Sequence, residues 1–498
     1  MKELEINSTA QIETSPLSEG GNAVLKYYEH TIAAPQPVDI GSATQIAPMY
    51  ESETPPLALR EYKVHYPESL VEAYKIACGK YDQQFMKLVQ RHKIWGSDYQ
   101  YAPFTLAFQV DGPAYPDAFL KQAEFMNPNI LAEFITKRVF EFEANIAAYG
   151  LNGRLWPDGT TNQTWHAALE VVRQRTGKRV AVLAGTEPKL DEMTMYEMGI
   201  TRDQLTSDKA VRDITGFDAF LGPNALLSLY QKHQGNDCPY VFFGRTSRPK
   251  SWLRNPNSQI DEGILASSEI LRYVRAHAIT HNFDDPTLPI NHPSIIMDTK
   301  EALVLAGAAY SVTQPCDIYS QEFLQYLADN GIDVDEITEG SLNPGKKNKL
   351  GGFFINFPST NLLSESLIVH LKARGSDPAL VASGEQKVRA KPLKQHYGIY
   401  GHEIGSINRA KFLNEIMEQV RIRGEYIIQP EFANLHIVDS ANPHESYVAI
   451  DRVFFVRGAD GQLHPMESCR SLMPAQSLEG KKNNIHEGHN TRCVRIAI

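Results

Sequence analysis

The sequence predicts a mixed protein, with an α/β unit in its middle and an α+β unit at its carboxyl end. Three observations carry that prediction. "TWHAALEVVRQRTGKRVAVLAG" passes from an amphipathic helix through a glycine stop at Gly177 into a short apolar run of buried-strand type. After residue 290, "KVRAKPL", "EYIIQPEF", "YVAIDRVFFVR" and "TRCVRIAI" read as strands, with one helix, "RAKFLNEIMEQVRIRG", between the first two. Alternating helix and strand build a parallel sheet, whereas strands crossed by a single helix belong to α+β layers.

Length and composition bound the reading. A chain of 498 residues exceeds one ordinary core. Its 42% hydrophobic and 22% charged residues are those of a soluble globular protein. No apolar run approaches the ~18 residues of a membrane span, and the N-terminus lacks the apolar core of a secretory signal. Cys78, Cys238, Cys316, Cys469 and Cys493 are scattered, without a CxxC pair, and read as reduced cytoplasmic thiols. A net charge of −10 argues against nucleic-acid binding while leaving room for a local basic pocket.

The elements divide the chain into four segments. Residues 1–65, rich in Ser, Thr, Pro and Glu, read as a loosely packed polar arm. In residues 66–165, "PESLVEAYKIACGKYDQQFMKLVQRH" has helical spacing. "FTLAFQV" and "FLKQAEFM" around the turn "DGPAYPDA" read as a hairpin. Residues 166–290 form the α/β segment of Rossmann type, with a second helix–strand unit in "LLSLYQKHQGNDCPYVFFGRTS". Residues 291–498 hold the α+β segment.

Several chemistries are disfavoured by what the motifs lack. "GSLNPGKK" misses a Walker A motif because Lys347 stands where Ser or Thr would hold magnesium, and paired glycines follow instead of a helix. "HAITH" has the i, i+4 histidines of a zinc helix, His277 and His281, but not the metalloprotease glutamate. There is no GxSxG elbow. In "VRAKPLKQHYGIYGHEIGSI", by contrast, Lys391 ends a strand, Pro392 turns it, and Gly398, Gly401 and Gly405 free the backbone to close over a ligand. The "YIIQPEF" strand then leads to Gln429 and Glu431, polar groups suited to an adenine or ribose edge.

Taken in order, the strand with Lys-Pro, glycine loop, helix, Gln/Glu hinge, Arg-bearing strands and Asn/Gly loop before a final strand resemble the ATP-grasp superfamily. The match is to the circularly permuted branch of eukaryotic-type glutathione synthetase, covering residues 100–498 as ordered landmarks. That resemblance implies a permuted ATP-grasp fold with a Rossmann-like substrate domain, ATP as cosubstrate and Mg²⁺ as cofactor. Lys300 and Lys391 would neutralise the phosphates, with Gly398, Gly401, Gln429 and Glu431 around the nucleotide. Because the branch carries its metal strand near the N-terminus, Glu124 in "FLKQAEFM" is the implied magnesium ligand, supported by Asn127 and Asp111. The spacing departs from the family's Glu-x-Asn, since Met126 stands where the asparagine should be. The glycine loop departs as well, with Gln395 at the position of an acidic residue.

The activity implied is carboxylate–amine ligation through an acyl phosphate. Arg470, and Arg452 on the preceding strand, are the candidates for stabilising the transferring phosphoryl group. Either arginine can equally be a salt-bridging sheet residue. Amino acids or small peptides are the implied substrates, and Arg245, Arg248, Lys250 and Arg254 in "GRTSRPKSWLR" suit a carboxylate. Dimers are common in that branch, so the resemblance admits a homodimer. An ATP-grasp kinase without ligation, or a non-catalytic nucleotide-binding or scaffold protein, remains open at this point.

Overall fold

The computed structural model describes residues 17–41, 43–45, 57–59, 62–92, 107–139, 141–145, 164–183, 213, 216–221, 223–233, 238–243, 273, 277–280, 310–312, 388–392, 404–407, 426–430, 434–475 and 492–498. Its first helix, α1 (Glu19–Ile32), lies within the segment expected to be a loose arm. There Gly21, Val24, Leu25, Tyr28 and Ile32 fall on one helical stripe, and all are buried. Ser18 caps it, its hydroxyl accepting from the Gly21 amide at 3.0 Å. The arm's polar composition hid this stripe, which is short but continuous.

Three short strands and a fourth follow: β1 (Gln36–Val38), β2 (Ala43–Gln45), β3 (Leu57–Leu59) and β4 (Val64–His65). The long helix α2 (Glu68–His92) forms where the helical spacing predicted it. Then come β5 (Ala107–Pro113), α3 (Asp117–Ala123), α4 (Pro128–Arg138) and β6 (Glu141–Asn145). Here the structure corrects the expected hairpin, because "FLKQA" is helical. Phe119, Leu120 and Ala123 bury at i, i+1 and i+4, which is a helix stripe rather than strand alternation. Pro116, in extended backbone, sets the helix entry, and Asp117 favours its first turn.

The middle segment contains α5 (Thr164–Thr176), β7 (Arg179–Leu183), β8 (Ala219–Leu221), α6 (Pro223–Lys232), β9 (Tyr240–Phe243) and β10 (Ala278–Thr280). Gly177 ends α5 at φ +66°, a conformation that glycine adopts without strain. The four strands form a parallel sheet in the order β10-β9-β7-β8. An α/β unit is the expectation for this segment, and the described parallel pairing agrees with that coarser class.

Further along, β11 (Tyr310–Val312), β12 (Val388–Pro392), β13 (Ile404–Ile407) and β14 (Tyr426–Pro430) make an antiparallel sheet ordered β11-β14-β12-β13. The last strands are β15 (Leu435–Asp439), β16 (Ser446–Arg457), β17 (Leu463–Pro474) and β18 (Arg492–Ala497). These four do not stand alone. β16 pairs with β5, β5 with β6, β18 with β3 and β4, and β1 with β15, so both ends of the chain share one mixed sheet.

The helices α1 to α4 cover one face of this sheet. An aromatic cluster fills the space beneath them: Tyr28, Tyr66, Tyr74, Tyr115, Phe119 and Phe134 pack with ring centroids 5.1–6.5 Å apart. Their hydroxyls are satisfied locally, as in Tyr28 donating to the Ala114 carbonyl at 3.1 Å and the Tyr74 and Tyr115 hydroxyls sharing a hydrogen bond at 3.1 Å. Helix α5 packs against both β16 and β7, joining the parallel sheet to the larger one. Arg175 fastens that junction by donating to the Gly458 carbonyl at 2.9 Å. No described helix is long and apolar enough to cross a membrane.

Candidate functional site

Strand β16 is the spine of the candidate site. Its central residues are buried on both faces, and its adjacent charges Asp451 and Arg452 point opposite ways because successive strand residues alternate. Each meets an oppositely charged partner. Asp451 pairs across β17 with Arg470, and Arg452 pairs across β5 with Asp111.

The Asp451–Arg470 pair is closed. Arg470 donates to both carboxylate oxygens, at 2.6 Å from Nε and 2.8 Å from Nη2. It also donates to the Tyr62 hydroxyl at 2.6 Å and the Tyr115 carbonyl at 2.9 Å. Tyr66 donates to Asp451 Oδ2 at 2.5 Å. Both charged side chains are 0% exposed. Burial opposes the Arg470 charge, but Asp451 and Tyr62 outweigh it and hold the guanidinium well above its ordinary range. Arg470, expected beside a transferring phosphoryl group, is thus placed in the aromatic core with its donors turned to protein acceptors.

The Arg452–Asp111 pair is more open. The guanidinium lies 3.4 Å from Asp111 Oδ2, with side-chain exposures of 9% and 13%. Asp111 Oδ1 accepts from Gln109 Nε2 at 3.0 Å. The structure therefore brings together Asp111 and Arg452, two residues that the sequence nominated for different tasks. On the far side of β5, the register sets Asp111 opposite Glu141, Gln109 opposite Glu143 and Ala107 opposite Asn145.

That ladder also carries a spacing that sequence reasoning did not single out. The Glu-x-Asn spacing implied by the resemblance occurs in β6, at Glu143 and Asn145, two residues apart and in the same phase of the pleat. In the sequence it is spelled by "EFEAN", downstream of "FLKQAEFM". Glu124 instead follows the last turn of α3 and is exposed. Asn127 caps α4, its side chain accepting from the Asn129 amide at 2.9 Å, with Pro128 in the first turn. Neither sits on a strand. Among the described residues no group of three or more His, Cys, Asp or Glu side chains could hold a metal ion.

Lys391 lies in β12, in register with Ile427, while Arg389 stands opposite Gln429. These pairs are two positions apart along the ladder. The connection from β12 to β13 carries Gly398 and Gly401, so the glycine-rich stretch links antiparallel neighbours. Lys300, Gly398, Gly401 and Glu431 themselves lie outside the described residues, as does the basic run from Arg245 to Arg254.

The parallel sheet supplies a further candidate crevice. From β7 the chain passes to β8 on one side, then returns to β9 on the other, so the strand order reverses between β7 and β9. Open α/β sheets bind ligands outside the carboxyl ends of strands at such a reversal. The "GRTSRPKSWLR" run leaves β9 at its carboxyl end. His277, at the amino end of β10, is 3% exposed and packs edge-on to Tyr273 and Phe242, in keeping with a packing histidine. No protein-family model matches the chain, and no curated protein matches it.

Proposed function

We propose that the chain is an ATP-dependent carboxylate–amine ligase with a permuted ATP-grasp arrangement. The observation that carries this reading is the pairing of β5 and β6, from the amino-terminal part, with β16, from the carboxyl-terminal part. A permuted chain needs that pairing to return an early Glu-x-Asn strand to a late sheet. The antiparallel ladder around Lys391, with its glycine-rich connection and the Gln429 strand beside it, supports the same reading.

The donor chemistry of the β5–β6 region suits magnesium, because carboxylates and an amide provide hard oxygen ligands. Glu143 and Asn145 would hold the ion, with Asp111 near them; Glu124 and Asn127 fit this role poorly, one following a helix and the other capping one. When bound, magnesium neutralises the negative charge of the nucleotide phosphates. Lys391 and Lys300 would add positive charge along the same phosphates.

In the proposed reaction a substrate carboxylate oxygen attacks the γ-phosphorus. The bond from that phosphorus to the ADP oxygen breaks, leaving an acyl phosphate. An amine then attacks the acyl carbon, phosphate departs with the C–O bonding pair, and the nitrogen loses a proton to give the amide. The crevice at the carboxyl ends of β7 and β9, followed by Arg245 and Arg248, is the place proposed for an amino-acid or peptide carboxylate.

A thermal-shift titration with ATP, with and without Mg²⁺, tests the reading. Ligand at about 100 times its dissociation constant adds roughly 2.7 kcal/mol of stability. A magnesium-dependent shift that is lost in Lys391→Ala supports the site, and amine-dependent release of ADP and phosphate then identifies ligation. No shift at millimolar ATP overturns it.

A further inference from the structure

Strands β15 to β18 form an antiparallel meander, each pairing with the next. Its first two turns are short, spanning residues 440–445 and 458–462. In the second, Gly461 takes φ +79° and its amide donates to the Gly458 carbonyl at 3.0 Å. Strands from the beginning of the chain fill the edges this meander leaves open. β1 lies parallel along β15, and β5 takes the stretch of β16 from Ile450 to Phe455 that β15 does not reach. β3 and β4 lie parallel along β18.

The meander's hairpins are local, and the contacts of the incoming elements are not. Tyr66 and Tyr62 reach Asp451 and Arg470 from 385 and 408 residues away along the chain, and the Tyr115 carbonyl reaches Arg470 from 355. Closing such loops costs entropy before any contact forms, whereas a hairpin closes in about 1–10 μs. The early elements also lack a sheet of their own. Among the described residues, β5 pairs with β6 and β16 alone, and a lone two-stranded hairpin is marginal in water. The aromatic cluster under α1 to α4 shares one core with Val453, Phe455 and Leu472, so the meander completes its burial.

We propose that the β15–β18 meander folds first and is the template on which the amino-terminal strands and helices α1 to α4 assemble. The early part of the chain then stays open until the last strands are made. The 355 residues between Tyr115 and Arg470 take roughly 20–70 s to synthesise at about 5–20 residues per second. Helices α1 to α4 are thus assembled after synthesis, although they are made first. This order does not depend on the nucleotide reading and stands or falls without it.

The test is refolding of the full chain from urea, followed by pulsed hydrogen exchange and mass spectrometry of its peptides. In wild type, peptides from β16 and β17 should gain protection in an earlier phase than those from α3, α4 and β5. Two variants then probe dependence in each direction. Ser471 lies in β17 between Ile450 and Cys493, on the face opposite Arg470, so Ser471→Pro breaks the central ladder without altering a side chain that faces the helices. It should abolish protection of α3 and α4 as well as of the meander. Phe134→Asp puts an unpaired carboxylate into the aromatic cluster at a fully buried position of α4. It should abolish protection of α3 and α4 while β16 and β17 keep their early phase, within about twofold of the wild-type rate. The proposal is overturned by protection of α3 and α4 before or together with β16 and β17 in wild type. Protection of α3 and α4 in Ser471→Pro overturns it as well, as does loss of the early phase in Phe134→Asp.

Discussion

Replacing Asp451 by Asn should damage the protein more than most single substitutions. The exchange keeps the side-chain volume but removes the carboxylate charge paired with Arg470, whose side chain has no exposed surface. Two hydrogen bonds from Arg470 and one from Tyr66 lose a charged acceptor. Breaking a buried ion pair by removing one partner costs about 3–5 kcal/mol, because the remaining charge cannot reach water. Against a typical total of about 5–15 kcal/mol, this is a large fraction. With a urea slope of about 1–3 kcal/mol per molar, the midpoint should fall by about 1 M or more at unchanged slope. Arg470→Met should cost a comparable amount, since it strands Asp451, the Tyr62 hydroxyl and the Tyr115 carbonyl together. The double variant should cost less than the sum, with a coupling of at least about 1 kcal/mol. Urea unfolding followed by far-ultraviolet circular dichroism measures all three. A midpoint loss below about 0.3 M for Asp451→Asn, or full additivity in the double variant, would refute the reasoning.

Alkaline pH should unfold the chain steeply. Burial pushes the hydroxyls of Tyr66, Tyr74 and Tyr115 well above their ordinary value, with Asp451 adding to the effect at each. The unfolded chain therefore loses these protons first, and stability falls as pH rises past about 10, by about 1.4 kcal/mol per pH unit for each group. Tyrosinate absorbance should appear together with loss of circular dichroism, and a gradual native titration of these rings would contradict it. The thiols of Cys78 and Cys469 are raised well above the ordinary range by burial, and Cys493 is pushed up to about 12. Mass spectrometry after alkylation at mild pH should find all three unmodified in the folded protein and modified in urea. Asn127→Ala should cost about 1 kcal/mol by uncapping α4 while leaving the magnesium requirement for ATP unchanged. Glu143→Gln should raise that requirement instead, and the reverse pattern would return the metal to the α3–α4 turn.

Much of the architecture could be read from periodicity. The long apolar spacing of α2, the Gly177 stop, and the apolar runs of β7, β9 and β16 each match one local rule strongly. Short elements with competing rules went astray. Residues 117–123 satisfy a helix stripe through Phe119, Leu120 and Ala123, yet the Gly/Pro/Asp turn before them invited a strand. In α1, the apolar stripe from Val24 to Ile32 was diluted by the polar residues on either side. The candidate site was legible only in part, because its chemistry depends on pairing. Asp111 and Arg452 were visible as charges in strands, but their contact follows from the β5–β16 register. The same register revealed which Glu-x-Asn segment lies beside them. Nothing in the local residues distinguishes Arg470, sealed against Asp451, from an arginine available to a ligand.

The dipeptide Asp451–Arg452 also constrains how β16 can be threaded between its neighbours. Sliding or flipping the strand by one residue would exchange its two faces. A slip one way would set Asp451 opposite Asp111, and a slip the other way would set Arg452 opposite Arg470, so either slip loses both attractions and creates one like-charge encounter. Apolar residues such as Val448, Ile450, Val453 and Phe455 could tolerate an exchange of sides far more readily, being buried on either face. Two adjacent charges thus act as a key with a single orientation, penalising a slip in either direction while the aligned strand satisfies both.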